Sequence, residues 1–163
     1  MAYPANFEKA FAFVIEWEGT EYEKDPDDPG GATKYGIDQR SHRGLDIYNL
    51  TLDKAKAIYY SEWSADFCDK VDRPLCEVAF NFCVNTGLYR TVKFAQAVLG
   101  LDIDGKVGDK TRRAVRTADP LVLSKGIIDQ ADHFYTLLGS RMPKFVRGWL
   151  NRDLALRKDI ATP

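Results

Sequence analysis

From Phe7, steps of four, four and three residues lead through Phe11 and Ile15 to Glu18. A carboxyl therefore continues the apolar stripe of an amphipathic helix. Gly19 follows at once, as at a helix C-terminus. Two effects then act on Glu18 in the same direction. An apolar setting disfavours the ionised form, and the negative end of the helix dipole repels it. A glutamate held in this way is expected to keep its proton near neutrality and to serve as a general acid. Glu16 lies on another face and is expected to be solvated.

The stretch that follows, Asp25-Pro26-Asp27-Asp28-Pro29-Gly30-Gly31, supplies the other half of a reaction. Its prolines fix φ, and residues before proline prefer extended backbone, so Asp25 and Asp28 are held out of helix. Such a turn can aim a carboxylate across a cleft toward Glu18. A proton donor opposed by a carboxylate is the usual requirement for hydrolysis of a glycosidic bond. Two other readings of the turn compete. It can be a plain Asx/Pro turn without chemistry. It also places Asp25, Asp27 and Gly30 at the first, third and sixth positions of a calcium loop, but Pro29 and Gly36 then fall where ligands are required. No metal or organic cofactor is implied.

The elements that must position these groups are mostly helical. Asn6 is placed to cap a first helix carrying Phe7, Phe11, Val14 and Ile15. Three glycines and two prolines between Pro26 and Gly36 end helical structure. Thr33, Tyr35 and Ile37 alternate, which predicts a short strand or hairpin over 32–38. Thr51 is placed to cap a second helix with Leu52, Ala55, Ile58, Tyr59 and Trp63. Pro74 opens a third, whose buried stripe is Leu75, Val78, Ala79, Phe82 and Cys83. Further helices are predicted at 91–99, 109–118, about 120–139 and 143–157. The class is mainly α, with a small β or irregular wing near residues 24–40.

Composition bounds the function. A chain of 163 residues, 45% hydrophobic and 29% charged, is an ordinary globule, neither disordered nor membrane-embedded. No apolar run reaches the length of a membrane span, and no secretory signal peptide is expected where Glu8 arrives so early. Cys68, Cys76 and Cys83 lack metal-ligand spacing and are expected to be reduced, buried thiols. Residues 101–163 hold 12 Lys and Arg against 8 Asp, a balance of +4, whereas residues 1–100 hold 11 against 16 acids, or −5. The asymmetry suits an anionic polymer but is too weak for nucleic acid. His42 and His133 have no partner at catalytic spacing and receive no role.

The run Glu18-Gly19, a tyrosine shortly after (Tyr22), and Asp28-Pro29-Gly30-Gly31-Ala32-Thr33-Lys34-Tyr35-Gly36-Ile37 resembles glycoside hydrolase family 108. Members are N-acetylmuramidases of phage and bacterial origin. The family's E-G-G-Y motif reads E-G-T-E-Y here, with Thr20 in place of the second glycine and one additional residue before the turn. The resemblance implies a lysozyme-like, mainly α fold and carries the proton-donor role onto Glu18. The family pattern points to Asp28 as the partner carboxylate. Glu18, Asp27 and Thr33 also form E-x8-D-x5-T, similar to the Glu/Asp/Thr triad of phage-type lysozymes, in which Asp and Thr flank the attacking water. Both aspartates stay open, as does the calcium-free turn without chemistry.

The resemblance continues through Asn85-Thr86-Gly87, Gln96, Leu99-Gly100, Asp104-Gly105, Gly108 and Thr111, which is similar to a peptidoglycan-binding pattern. Gly100, Gly105 and Gly108 read physically as turn residues between helices. Gly148-Trp149-Leu150-Asn151-Arg152 resembles the family's C-terminal stretch. Tyr22, Tyr35, Asn85 and Trp149 are candidate substrate-binding residues; Asn85 can instead cap carbonyls, and Trp149 can anchor the last helix. Residues 1–90 are expected to form a catalytic part and 91–163 a helical part resembling a peptidoglycan-binding region, packed as one structural unit. Peptidoglycan is the expected partner, without stable membrane insertion, and a monomer is expected. The chain would be made in the cytoplasm and act on the wall after holin-type, dedicated or lytic release. A lytic transglycosylase and a non-catalytic wall-binding module are the alternatives.

Overall fold

The computed structural model describes residues 2–24, 31–65, 68–139 and 141–161. Among them lie seven α-helices: α1 (Ala5–Glu18), α2 (Leu52–Ala65), α3 (Leu75–Thr86), α4 (Leu88–Val98), α5 (Asp109–Thr117), α6 (Pro120–Leu138) and α7 (Pro143–Ile160). A 3-10 turn covers Cys68–Lys70, and three short strands are β1 (Glu23–Lys24), β2 (Ala32–Lys34) and β3 (Ile37–Asp38). The mainly α class and the small wing are both as the sequence predicts. Two compact units divide between residues 65 and 66.

In the first unit, Phe7, Ala10, Phe11 and Val14 bury one side of α1. Ala55, Tyr59 and Trp63 are buried on α2. The two helices meet through aromatic edges, with Phe7 and Trp63 ring centroids 5.7 Å apart and Phe11 and Tyr59 5.8 Å apart. Lys56 pairs with Glu8 across the same seam. Thr51 caps α2 as expected, its hydroxyl accepting from Lys54 N at 3.4 Å. Leu52, placed in the apolar stripe by the sequence, remains 43% exposed at the helix start. Asn6 is not the cap of α1. The helix begins two residues earlier than that cap implies, at Ala5 after Pro4, whose carbonyl accepts from Glu8 N at 3.0 Å. Proline's fixed φ suits the entry to a helix, and no side chain caps it there.

The second unit is organised by α3, which packs on α4, α6 and the 3-10 turn. Its residues Leu75 to Cys83 are buried without interruption. The sequence predicts one buried stripe; the structure buries every side of the helix, Glu77 and Asn81 included. Arg73 pairs with Glu77, and Arg152 Nε donates to Asn81 Oδ1 at 2.8 Å, which leaves Asn81 Nδ2 without an acceptor among the described residues. Cys68, Cys76 and Cys83 are free and buried. Burial, reinforced by Glu77, pushes the Cys76 thiol up to about 12.

The turn residues of 96–111 do structural work. Buried Gln96 donates to Asp104 Oδ1 at 2.8 Å, Lys106 O at 3.1 Å and Thr111 Oγ1 at 3.1 Å, and accepts from Gly105 N at 2.8 Å. One amide thereby ties the loop between α4 and α5. Gly105 (φ +71°) lies under Tyr89, where a Cβ would fall 2.3 Å from the ring.

A carboxyl pair joins α6 to α7. Asp153 is fully buried, and both its oxygens and Asp132 Oδ1 lack a hydrogen-bond donor among the described residues. Burial and the neighbouring Asp132 push Asp153 up to about 8, against the pull of Arg152 and Arg157. A proton retained on Asp153 supplies the missing donor. The unfolded carboxyl releases that proton near 3.9, so between about 4 and 8 the folded chain binds more protons than the unfolded one. The stabilising contribution of Asp153 is full below that window and is lost as pH rises through it. Melting temperatures across pH 4–9 should therefore fall more steeply for the wild type than for Asp153→Asn. Parallel curves would contradict a buried neutral acid.

Candidate active site

The C-terminus of α1 ends on Glu18 because Gly19 (φ +76°) turns the chain away while its N–H donates to Ile15 O at 3.1 Å. Glu18 is half-buried and Glu16 exposed, as their positions on the helix predict. Glu18 follows Val14 by one helical turn and so extends the buried stripe.

The sheet is antiparallel in the order β1-β2-β3, with Glu23 opposite Thr33 and Thr33 opposite Asp38. Thr33 thus sits in the central strand. The β2–β3 connection is a two-residue turn, Tyr35-Gly36, with positive φ at both positions (55° and 75°), the twist that tight hairpins favour. Gly36 accepts it freely; Tyr35 is held there by a bond from Tyr59 Oη to its carbonyl at 2.9 Å.

The same turn presses on the candidate acid. A Cβ on Gly36 would lie 2.8 Å from Glu18 Cγ, 2.9 Å from Glu18 Cβ and 2.6 Å from Tyr59 Oη. The carbon stem of Glu18 is therefore fixed by three elements: α1 carries it, the hairpin turn covers it, and Tyr59 from α2 braces the turn. This arrangement leaves the carboxyl's position, more than its chain, under the control of tertiary contacts.

Aromatic side chains border the sheet. Tyr22 meets Tyr48 edge-on at 5.2 Å, and Tyr48 is 67% exposed. Lys34 Nζ donates to Tyr48 O at 3.1 Å and lies 5.4 Å from the Tyr35 ring centre. Tyr22 and Tyr35 are thereby brought to one region with Lys34 and Tyr48. Asp25, Asp27 and Asp28 lie outside the described residues. His42 pairs with Glu62 at 3.5 Å. Among the described residues, no group of three or more His, Cys, Asp or Glu side chains is placed to hold a metal ion.

Asn85 and Trp149 belong to the second unit. Asn85 Nδ2 donates to the Tyr135 hydroxyl at 2.6 Å, rather than capping carbonyls. Trp149 is half-buried and stacks on Tyr135, with centroids 5.0 Å apart. It anchors α7 on α6.

Tyr59 and Tyr48 are the residues that sequence reasoning missed. Tyr59 occupies an apolar-stripe position, and the pattern gives no sign that its hydroxyl supports a turn 24 residues away. Tyr48 lies in an irregular segment without periodicity.

Residues 11–87 match the family model described as glycosyl hydrolase 108, and residues 90–154 match one described as a predicted peptidoglycan domain. The chain is also similar to the solved structure of SagA from Brucella abortus, with 30% identity and a TM-score of 0.81. That likeness covers 95% of this chain and 93% of the other. Comparison with curated proteins gave no match. The first family boundary falls near residue 87, beyond the division of compact units at 65, because α3 packs with the helices that follow it.

The geometry makes Gly36 a sensitive position. Gly36→Ala must displace either the Glu18 stem or the Tyr59 hydroxyl, and a misplacement of about 1 Å costs about 10²-fold in rate. Its kcat should fall by roughly that factor. Tyr59→Phe, which removes one hydrogen bond, should destabilise by about 1 kcal/mol. A Gly36→Ala protein with wild-type kcat would contradict a catalytic role for the side chain packed against this turn.

Proposed function

We propose that this chain, which belongs to glycosyl hydrolase family 108, cleaves the β-1,4 bond between N-acetylmuramic acid and N-acetylglucosamine with Glu18 as general acid. Its family and its predicted peptidoglycan domain make it a peptidoglycan hydrolase. The observation that carries it is the close packing of the Gly36 turn, braced by Tyr59, on the Glu18 stem. A surface glutamate needs no such positioning, whereas a proton donor must meet a leaving oxygen at hydrogen-bond distance.

In this mechanism Glu18 protonates the glycosidic oxygen as the bond to the sugar carbon breaks. Positive charge then develops on the ring. Asp27 or Asp28 from the acidic turn activates the attacking water or stabilises that ring, and Thr33 holds the water. Tyr22 and Tyr35 offer faces and edges to the sugars flanking the cut bond. The protein acts as a monomer on the bacterial cell wall.

The test is hydrolysis of purified peptidoglycan. Glu18→Gln keeps the size and polarity of the side chain while removing the proton. Its activity should fall at least about 10²-fold with the melting temperature nearly unchanged. Asp27→Asn and Asp28→Asn should differ sharply from each other, because the reaction needs one carboxylate opposite the acid. A Glu18→Gln protein of near-full activity would end this reading.

A further inference from the structure

Strand β2 carries different chemistry on its two faces. Successive side chains of a strand point to opposite sides, so Lys34 lies on the face away from Thr33. Thr33 is flanked across the sheet by two carboxyl side chains, Glu23 on β1 and Asp38 on β3. Lys34 has other neighbours. It pairs across the hairpin with Ile37, which is 2% exposed. The β1–β2 register, carried one residue back from Glu23, places Tyr22 opposite Lys34 and on its face.

Tyr48 joins the Lys34 face. At 67% it is the most exposed of the large apolar and aromatic side chains among the described residues. Its backbone is nonetheless fixed. Ile47 and Leu50 on either side are each 1% exposed, and Leu50 N donates to Ile47 O at 3.2 Å. Asp46 accepts from Asn49 N at 3.1 Å and from Asn49 Nδ2 at 2.8 Å. The Tyr48 carbonyl accepts from Lys34 Nζ at 3.1 Å, and the Tyr48 ring meets Tyr22 at 5.2 Å and 85°. A ring held by its neighbours and left uncovered binds a ligand with little further ordering cost.

Lys34 is half-buried, and its ammonium lies 5.4 Å from the Tyr35 ring centre. An ammonium has three N–H donors, and the Tyr48 carbonyl takes one of them. No acidic side chain pairs with it among the described residues, so its charge is held in place without being neutralised there. The residues that follow, Tyr35-Gly36, form the turn packed on the Glu18 stem. Two residues of strand span about 7 Å. Thr33 and Lys34 thus stand on opposite sides of one strand that ends at the candidate acid.

We propose that Lys34 and Tyr48, with Tyr22 bracing the ring, bind the stem peptide of peptidoglycan and make the site selective for muramic sugars that carry one. This rests on the reading of the chain as a muramidase with Thr33 beside the attacking water. A muramic sugar joins its neighbours through the pyranose ring and carries its peptide on a lateral lactyl branch. With the glycan on the Thr33 face, the branch passes around the hairpin to the Lys34 face. A peptide carboxylate there takes the two remaining ammonium donors, a charge-assisted contact. The uncovered Tyr48 ring packs on the small apolar side chains of the same peptide. Glycans without the branch gain nothing from either residue.

The test uses the whole chain on two substrates, peptidoglycan strands with their stem peptides and the same strands stripped of them by an amidase. Lys34→Met keeps the length of the side chain and removes its charge, whereas Lys34→Arg keeps the charge. Tyr48→Ala removes the ring and keeps the carbonyl that Lys34 binds. The ratio of kcat/KM for intact over stripped strands should fall at least about threefold in Lys34→Met, the scale of a part-exposed ion pair. It should fall likewise in Tyr48→Ala and hold at the wild-type value in Lys34→Arg. A merely structural role would lower both substrates together and leave the ratio unmoved. On the inactive Glu18→Gln chain, Lys34→Met should weaken binding of a soluble disaccharide-peptide by the same factor and flatten its salt dependence. Unchanged ratios in folded Lys34→Met and Tyr48→Ala would overturn the peptide site, and so would an equal fall in Lys34→Arg. Hydrolysis by the wild type with binding independent of Lys34 and Tyr48 would refute the peptide site alone. Lys34-dependent binding of the disaccharide-peptide without hydrolysis would refute the enzymatic reading alone.

Discussion

The space where a side chain would project from Gly36 is occupied by the methylenes of Glu18 and the hydroxyl of Tyr59. That exclusion ties three separate parts of the first unit together. It requires a glycine with positive φ in the hairpin turn, a helix that ends where Glu18 projects, and a second helix whose tyrosine reaches the turn. Each requirement is met by a local feature: Gly19 ends α1, Tyr35-Gly36 forms the tight turn, and the aromatic seam between α1 and α2 sets the position of Tyr59. The Glu18 side chain is therefore located by packing against a rigid turn, and small changes at residue 36, or at Tyr59 which braces that turn, reach it.

The second unit solves a different problem. Its central helix is buried on every side, and two of its polar side chains, Asn81 and Asn85, have partners that come from distant sequence. Arg152 reaches Asn81 from 71 residues away, and Asn85 reaches Tyr135 across 50. These contacts hold α6 and α7 against α3. Asp153 is the exception, an acid kept neutral by its surroundings. Its cost is accepted where α6 and α7 meet, and it links the stability of this unit to pH.

Much of this was legible in the sequence, and the reasons are specific. Helix period, Gly19 and Thr51 located α1 and α2 because backbone rules act locally. The alternation of Thr33, Tyr35 and Ile37 located the hairpin for the same reason. Glu18 stood out because a carboxyl at an apolar-stripe position is unusual. Tyr59 did not, since a tyrosine in a stripe looks like any core aromatic until its hydroxyl finds a carbonyl. Nor did the complete burial of α3, which depends on helices that arrive later in the chain. Asn6 was misread because a proline at residue 4 began the helix without a side-chain cap. Asn85 and Gln96 lay in a motif, but only geometry separates ligand contact from internal bonding, and both are bonded internally.

Hydrolysis by this site, as against transglycosylation, requires that water and not a sugar hydroxyl completes the reaction. Digestion of purified peptidoglycan in heavy-oxygen water, followed by mass spectrometry of the products, tests this directly. Hydrolysis of the proposed bond should leave N-acetylmuramic acid at new reducing ends, each carrying one heavy oxygen from solvent. Unlabelled 1,6-anhydro ends, or labelled N-acetylglucosamine at the reducing end, would contradict it.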